Sequence, residues 1–157
     1  MSESSVTIIV YTDGASSFNP GPAGIGVYLR SGKYHRIISE YLGETTNNIA
    51  ELTAIYKALS HIKNKNAHIE IYTDSNYSIN VLQGNWKVKA NKDLVTRIKE
   101  KLAEFSDVVF VKVEGHAGIP ENELVDKLAV RAVKLKDNLD EYVANFEEAQ
   151  NLLVSRK

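Results

Sequence analysis

One strand-like run occurs twice in the chain. Ile8-Ile9-Val10-Tyr11-Thr12-Asp13 is answered by Ile69-Glu70-Ile71-Tyr72-Thr73-Asp74, so two stretches rich in β-favouring residues finish in the same Tyr-Thr-Asp. Taken singly, either Asp reads as a turn residue or a helix cap. Two in one local setting suggest a shared site. If the strands lie parallel and adjacent, their carboxylates meet at one edge of a sheet, and the repulsion is costly unless a cation occupies the gap.

The intervening pattern supports that pairing. Residues 6–13 read as a strand, and residues 14–24 as a loop of small and turn residues with Asn19-Pro20-Gly21-Pro22 at its tip. Residues 24–29 and 34–42 read as two more strands, completing an antiparallel meander. Thr45-Thr46-Asn47-Asn48 suits a helix start, and Ile49, Leu52, Ile55, Tyr56, Leu59 and Ile62 follow at helical spacing, with Glu51 in the first turn. Residues 68–74 form the second Tyr-Thr-Asp strand. A strand, helix, strand path favours a right-handed crossover and hence a parallel pair.

Ser75 is placed to cap a short helix carrying Tyr77, Val81 and Leu82, which Gly84 stops. A polar connection with Trp86, Lys87, Lys89 and Lys92 leads to an amphipathic helix through Leu94, Val95, Ile98, Leu102 and Phe105. Residues 108–113 read as the last strand. Residues 115–119 form a loop, and Pro120 opens a helix that buries Leu124, Val125, Leu128, Ala129 and Ala132. Asp126 shares a side of this helix with Asn122, Ala129, Val130 and Val133, which is not a solvated face. Asn138 is placed to cap a final helix with Leu139, Tyr142, Val143, Phe146 and Leu153 on one face.

The expected fold class is α/β, a mixed five-stranded sheet of three antiparallel strands and then two parallel ones, flanked by helices. One domain over residues 6–135 is expected, after a short tail at 1–5 and before an amphipathic helix at 136–157 that packs on the domain or on a partner. A length of 157 residues with 43% hydrophobic content suits a single core. Nineteen Lys and Arg against 20 Asp and Glu leave a net charge of −1, so any polyanion must be held by a local patch. The absence of Cys excludes disulfides, thiolate nucleophiles and Cys-type zinc sites, and the four His lack ligand spacing. No apolar run approaches a membrane span, and Met1-Ser2-Glu3-Ser4-Ser5 lacks the basic and apolar regions of a signal peptide. A soluble, cytoplasmic protein is expected.

Four pieces together resemble type 1 ribonuclease H: Tyr-Thr-Asp13-Gly-Ala-Ser with Asn19-Pro-Gly-Pro, Thr45-Thr-Asn-Asn-Ile-Ala-Glu51-Leu, Tyr-Thr-Asp74-Ser, and Gly115-His-Ala-Gly-Ile-Pro-Glu-Asn-Glu-Leu-Val-Asp126. The resemblance covers about residues 6–135. It implies a ribonuclease H-like fold and an endonuclease that hydrolyses the RNA strand of RNA–DNA hybrids, leaving 5′-phosphate and 3′-hydroxyl ends. It also implies that Asp13, Glu51, Asp74 and Asp126 bind two Mg²⁺ ions, with Mn²⁺ as a substitute and Asp13 bridging. Hard oxygen ligands suit such ions, which about 4 Å apart stabilise both the attacking and the leaving oxygen of a phosphodiester. His116 matches a loop histidine of the family that assists proton movement or product release.

For the RNA strand, the resemblance points to Asn19, Asn48 and Asn76 and to backbone from Gly14 to Ser16, which can read 2′-hydroxyls in a shallow minor groove. Thr46 and Asn47 resemble a phosphate pocket for the DNA strand, and Trp86, Lys87 and Lys89 suit sugar stacking and phosphate contact. Two features depart from the family: the connection after Asp74 is short where many members carry a longer basic protrusion, and position 76 is Asn where Gln is common. No separate hybrid-binding module is expected ahead of Val6. A monomer with no obligatory protein partner is expected. The rival readings are a non-catalytic hybrid-binding module, which a missing carboxylate would have favoured, and an actin-type ATPase, for which the chain is too short.

Overall fold

The computed structural model describes residues 6–155. The expected tail at 1–5 and the last two positions of the 136–157 segment lie outside them. Strands β1 (Thr7–Ser16), β2 (Gly21–Ser31) and β3 (Tyr34–Thr45) pair in antiparallel succession. Then follow α1 (Asn47–Ser60), β4 (His68–Thr73), α2 (Asn76–Leu82), α3 (Lys92–Leu102), β5 (Asp107–Lys112), α4 (Pro120–Leu135), β6 (Leu139–Val143) and α5 (Phe146–Ser155). The sheet order is β5-β4-β1-β2-β3-β6, with β4 parallel to β1 and β5 parallel to β4.

The alternation of strand side chains divides the interior in two. Val10, Ile69 and Ile71 turn to the face covered by α1 and α3, where Leu52, Ile55, Leu59 and Ile98 bury. Tyr11, Tyr28 and Ile37 turn to the opposite face, beneath Leu124, Val125 and Leu128 of α4. Gly26 of β2 makes that second layer possible: a Cβ there would run into the Val125 carbonyl oxygen, so α4 rests directly on the strand backbone. Because Gly26 pairs with Asp13 across the β1–β2 ladder, the close approach also brings the Asp126 turn of α4 towards the acidic end of β1.

The sheet has six strands, not five. Leu139 and Val143, expected on the face of a final helix, instead sit in β6, which extends the β3 edge from the Ser39–Leu139 pair to the His35–Val143 pair. A spacing of four residues is one helical turn and also two strand repeats, so the apolar pattern does not distinguish them. Tertiary contacts do. Arg36 donates from Nε and Nη2 to the two Asp140 carboxylate oxygens, each at 2.8 Å, and its guanidinium lies 5.0 Å from the Tyr142 ring centroid. Asn138 caps no helix; its Oδ1 accepts from the Tyr41 N–H at 2.9 Å.

Two further corrections concern the site. The 14–24 loop shrinks to a turn, because Gly14, Ala15 and Ser16 pair with Ile25, Gly24 and Ala23. Small residues there leave room for helices and do not break the ladder. Glu51 is not in the first turn of its helix: α1 begins at Asn47 and carries no acid in that turn. Thr46 is the N-cap, and its side chain accepts from the Ile49 N–H at 3.2 Å. The other expected caps hold, since Ser75 accepts from the Ser78 N–H and Pro120 opens α4.

Candidate metal centre and active site

The β1–β4 ladder sets Tyr11 beside Tyr72, so the residues two further on, Asp13 and Asp74, reach the same level of adjacent parallel strands. The two tyrosine rings stack beneath them with centroids 4.6 Å apart. Glu51 comes down from α1. Oxygens of Asp13, Glu51 and Asp74 all lie within 4.8 Å of one another. Asp13 and Glu51 are each only 7% exposed, while Asp74 is half-buried.

Gly14 ties two of these carboxylates together. Its N–H donates to Asp13 Oδ1 at 3.0 Å and also to Glu51 Oε1. A Cβ at this position would collide with the backbone of Ala50 and Glu51, so α1 sits this close to β1 only because residue 14 is glycine. On the other side, the loop after β5 brings Gly115 to Asp74, where a Cβ would lie 3.0 Å from Oδ2.

Such a cluster resists full ionisation. Burial first, and then the charges of Glu51, Asp74 and Asp126, push the Asp13 carboxyl well above the ordinary carboxylate range. Burial also raises Glu51, opposed by its hydrogen bonds to Asp13 and to the Gly14 N–H. At an effective dielectric constant of about 20, each pair of charges at this separation repels by roughly 3 kcal/mol. The donors are exclusively hard carboxylate oxygens, which fits a hard divalent cation and not a soft one. The trio is therefore a potential metal site.

Asp126 stands outside the trio. It is half-buried on α4, close enough for its charge to act on Asp13, and it borders a groove of about 690 Å³ between α4 and α5. His116 is exposed in the loop after β5 with a left-handed backbone (φ 58°), a conformation histidine tolerates better than most residues. Asn19 and Asn47 come together at the start of α1, where Asn19 Oδ1 accepts from the Asn47 N–H at 2.8 Å. Thr46 and Asn48 flank that contact. Asn76 is exposed at the start of α2 and receives the Asn80 amide on its Oδ1 at 3.1 Å. Trp86 is 46% exposed, beside exposed Lys87 and Lys89.

The model of the RNase H family matches residues 5–134, taking in every one of these positions. The chain belongs to the ribonuclease H family. A Ribonuclease H of Desulforamulus reducens is 41% identical over an alignment of 141 positions that covers 81% of this chain and 87% of that protein. Among solved structures, LC11-RNase H1 in complex with an RNA/DNA hybrid, an enzyme isolated from compost by a metagenomic approach, aligns with a TM-score of 0.69 at 31% identity, covering 82% of this chain and 98% of that one. RNase H1 from the halophilic archaeon Halobacterium salinarum NRC-1 aligns at a TM-score of 0.67 and 29% identity, covering 82% of this chain and 98% of that one.

Within this ribonuclease H fold, two further residues carry no separate sequence signal. Phe18, in the turn between Ser16 and Asn19, is 75% exposed. Asn122 is buried one helical turn before Asp126, and its Oδ1 has no hydrogen-bond partner among the described residues. Only its spacing of four from Asp126 marks it in the sequence.

Proposed function

We propose that the chain hydrolyses the RNA strand of RNA–DNA hybrids as an endonuclease, leaving 5′-phosphate and 3′-hydroxyl ends. The convergence of Asp13, Glu51 and Asp74 at the β1–β4 edge is the observation that carries this reading. Membership of the ribonuclease H family supports it, as does the likeness to an enzyme solved with a hybrid. Asp13, Glu51, Asp74 and Asp126 are the residues that would hold two Mg²⁺ ions, or Mn²⁺ in their place. Bound there, such ions supply an activated water and charge stabilisation for the departing 3′ oxygen.

The chain's own residues do the rest. Gly14 fixes the direction of both the Asp13 and the Glu51 carboxylates through one N–H, so their orientation is set before substrate arrives. His116 is assigned to proton movement or product release. Asn19, Asn48 and Asn76, with backbone from Gly14 to Ser16, are assigned to the RNA strand. Asn19 and Asn76 already accept hydrogen bonds at Oδ1, so their amide NH₂ groups are the donors left for 2′-hydroxyls. Thr46 and Asn47 are assigned to a DNA phosphate. The Asn47 and Ile49 N–H groups are engaged by Asn19 and Thr46, so the phosphate relies on the Thr46 hydroxyl hydrogen and the Asn47 side-chain amide. Trp86, Lys87 and Lys89 extend the contact along the DNA backbone.

The catalytic unit is assigned to residues 6–135, with the 136–157 segment as an accessory whose β6 strand covers the β3 edge. No helix among the described residues is long and apolar enough to cross a membrane, and a monomer acting in the cytoplasm is proposed. The test incubates end-labelled RNA–DNA hybrid, double-stranded RNA and double-stranded DNA with the protein, in Mg²⁺ or EDTA, beside Asp13→Asn. Only the RNA of the hybrid should be cut, and only with Mg²⁺ and intact Asp13. Cleavage surviving EDTA or the substitution would sink the metal mechanism, and equal cutting of all three duplexes would sink the hybrid specificity.

A further inference from the structure

Phe18 is the most exposed large apolar side chain among the described residues. A single exposed apolar residue is ordinary on a protein surface, but this one differs in its chemistry and in its support. The other strongly exposed aromatics, Tyr34, Trp86 and Tyr142, each carry an O–H or N–H that water satisfies, whereas the Phe18 ring has nothing polar to offer. Leaving it in water costs free energy that only an apolar contact recovers.

The turn that carries it is tightly built. The Ser17 N–H donates to the Pro22 carbonyl at 2.9 Å, and the Ser16 hydroxyl donates to the Phe18 carbonyl. A Cβ on Gly21 would come within 2.9 Å of the Phe18 nitrogen, carbonyl oxygen and Cβ, so only glycine lets the chain fold back against residue 18. On the other side, Asn19 Oδ1 accepts from the Asn47 N–H at 2.8 Å and fastens the turn to the start of α1. Phe18 is thus held out to solvent from a fixed backbone, and a ring with so few torsions loses little freedom when it is covered. Asp13 to Ser16 is extended within β1, so the turn begins roughly 10 Å beyond the acids.

We infer that Phe18 is a specificity contact for the hybrid: its ring packs in the minor groove against the sugars of the RNA strand. The inference rests on the hybrid reading of the site, in which the chain neighbours Ser16 and Asn19 are assigned to the RNA strand, and Thr46 and Asn47, reached through the Asn19–Asn47 bond, to the DNA strand. The minor groove is what lies between two strands held in this way. With RNA in the duplex that groove is wide and shallow, and a ring lies flat on its sugar edges, whereas the B-DNA minor groove is about 6 Å wide and 7.5 Å deep and admits a ring only edge-on. Phe18 therefore favours an RNA-containing duplex over duplex DNA without reading sequence. Covering about 55 Å² of the ring is enough for a tenfold change in affinity.

The test pairs fluorescence anisotropy of labelled RNA–DNA hybrid and duplex DNA, using Asp13→Asn protein with and without Phe18→Ala in Mg²⁺, with steady-state cleavage of hybrid by protein whose Asp13 is intact. Phe18→Ala keeps the Cβ beside Gly21, and the ring it removes fills no interior space, so the thermal midpoint should match the parent. Affinity for hybrid should fall about tenfold and affinity for duplex DNA by less than about twofold. The slope of log affinity against log salt should stay the same, because no phosphate contact is lost. In cleavage, KM should rise by the same factor as the hybrid affinity falls, with kcat within about twofold. Phe18→Tyr should restore hybrid binding to within about twofold of the parent. The inference is overturned if Phe18→Ala binds hybrid like the parent, if it loses hybrid and duplex DNA equally, or if kcat falls while KM does not, which would make the turn a scaffold for the acids. Failure of the hybrid reading is a different result: a parent that cuts no RNA in Mg²⁺ strikes that reading, and anisotropy still decides whether Phe18 touches the duplex.

Discussion

At Asp13 the protein holds a carboxyl that its surroundings drive towards the protonated form, chiefly by burial and then by the neighbouring Glu51. Its folded pKa lies above the unfolded value of about 4, so between the two the native state binds more protons than the unfolded chain. The stabilisation from the bound proton is complete below the unfolded pKa and is lost as pH rises towards the folded one. In EDTA, urea unfolding should therefore show stability declining from pH 5 to pH 8, and less steeply in Asp13→Asn. At pH 8 the variant should be the more stable protein, by on the order of 2 kcal/mol. A variant less stable than the parent under those conditions would contradict the electrostatic account. Gly14→Ala tests the neighbouring constraint, since its Cβ must displace α1 from β1. Overpacking of this kind costs about 1–3 kcal/mol, visible as a lower thermal midpoint, and cleavage should fall with it because Glu51 moves. Asp13 and Asp74 were readable from their matching strand endings alone. Glu51 and Asp126 needed the longer motifs around them, since a helical acid has many ordinary uses. The approach of Gly115 to Asp74 was not readable, because it depends on where a loop folds back after β5.

Five of the strands follow from local pattern: alternating β-favouring residues bounded by turn residues, with a helix between each parallel pair. β6 does not, because Leu139 and Val143 satisfy either period and the deciding partners, Arg36 and Ser39, lie about a hundred positions earlier. The 14–24 segment reads as a loop for a different reason, its composition. Its small residues are poor strand formers in isolation, but β2 and the helices above select them for closeness. Docking of β6 leans on the forked Arg36–Asp140 pair, whose Asp140 is held below the ordinary carboxylate range chiefly by the Arg36 hydrogen bonds. A depressed carboxylate contributes stability above its unfolded pKa and loses it as pH falls through the folded one. Asp140→Asn should thus lower stability by about 0.5–1 kcal/mol at pH 7, discounted for partial exposure, and the difference should be smaller at pH 2. Chemical denaturation at the two pH values checks this. Hybrid cleavage should be unchanged, since β6 lies at the edge of the sheet remote from β1 and β4.

Taken as a whole, the molecule has almost no net charge, −1 at neutral pH, so its long-range field does little to gather a polyanion. The carboxylate trio adds to this, because under the proposed function its three acids stand where a phosphate would have to arrive. Under the proposed function, attraction would rest on cations held by the acids and on the few lysines of the short connection between α2 and α3, Lys87 and Lys89, with Lys92 at the start of α3. Lys87 and Lys89 are exposed, free to meet successive phosphates. Each phosphate contact contributes roughly 0.9 to the slope of log affinity against log salt. Lys87→Ala and Lys89→Ala should each reduce that slope by about one unit and raise KM for the hybrid, while kcat stays within about twofold because neither group reaches the carboxylates. Measuring KM across a series of KCl concentrations at fixed Mg²⁺ separates this from a structural defect, which would lower kcat and leave the slope intact. If both variants keep the parent slope, the duplex lies elsewhere, and the connection serves only to join α2 to α3.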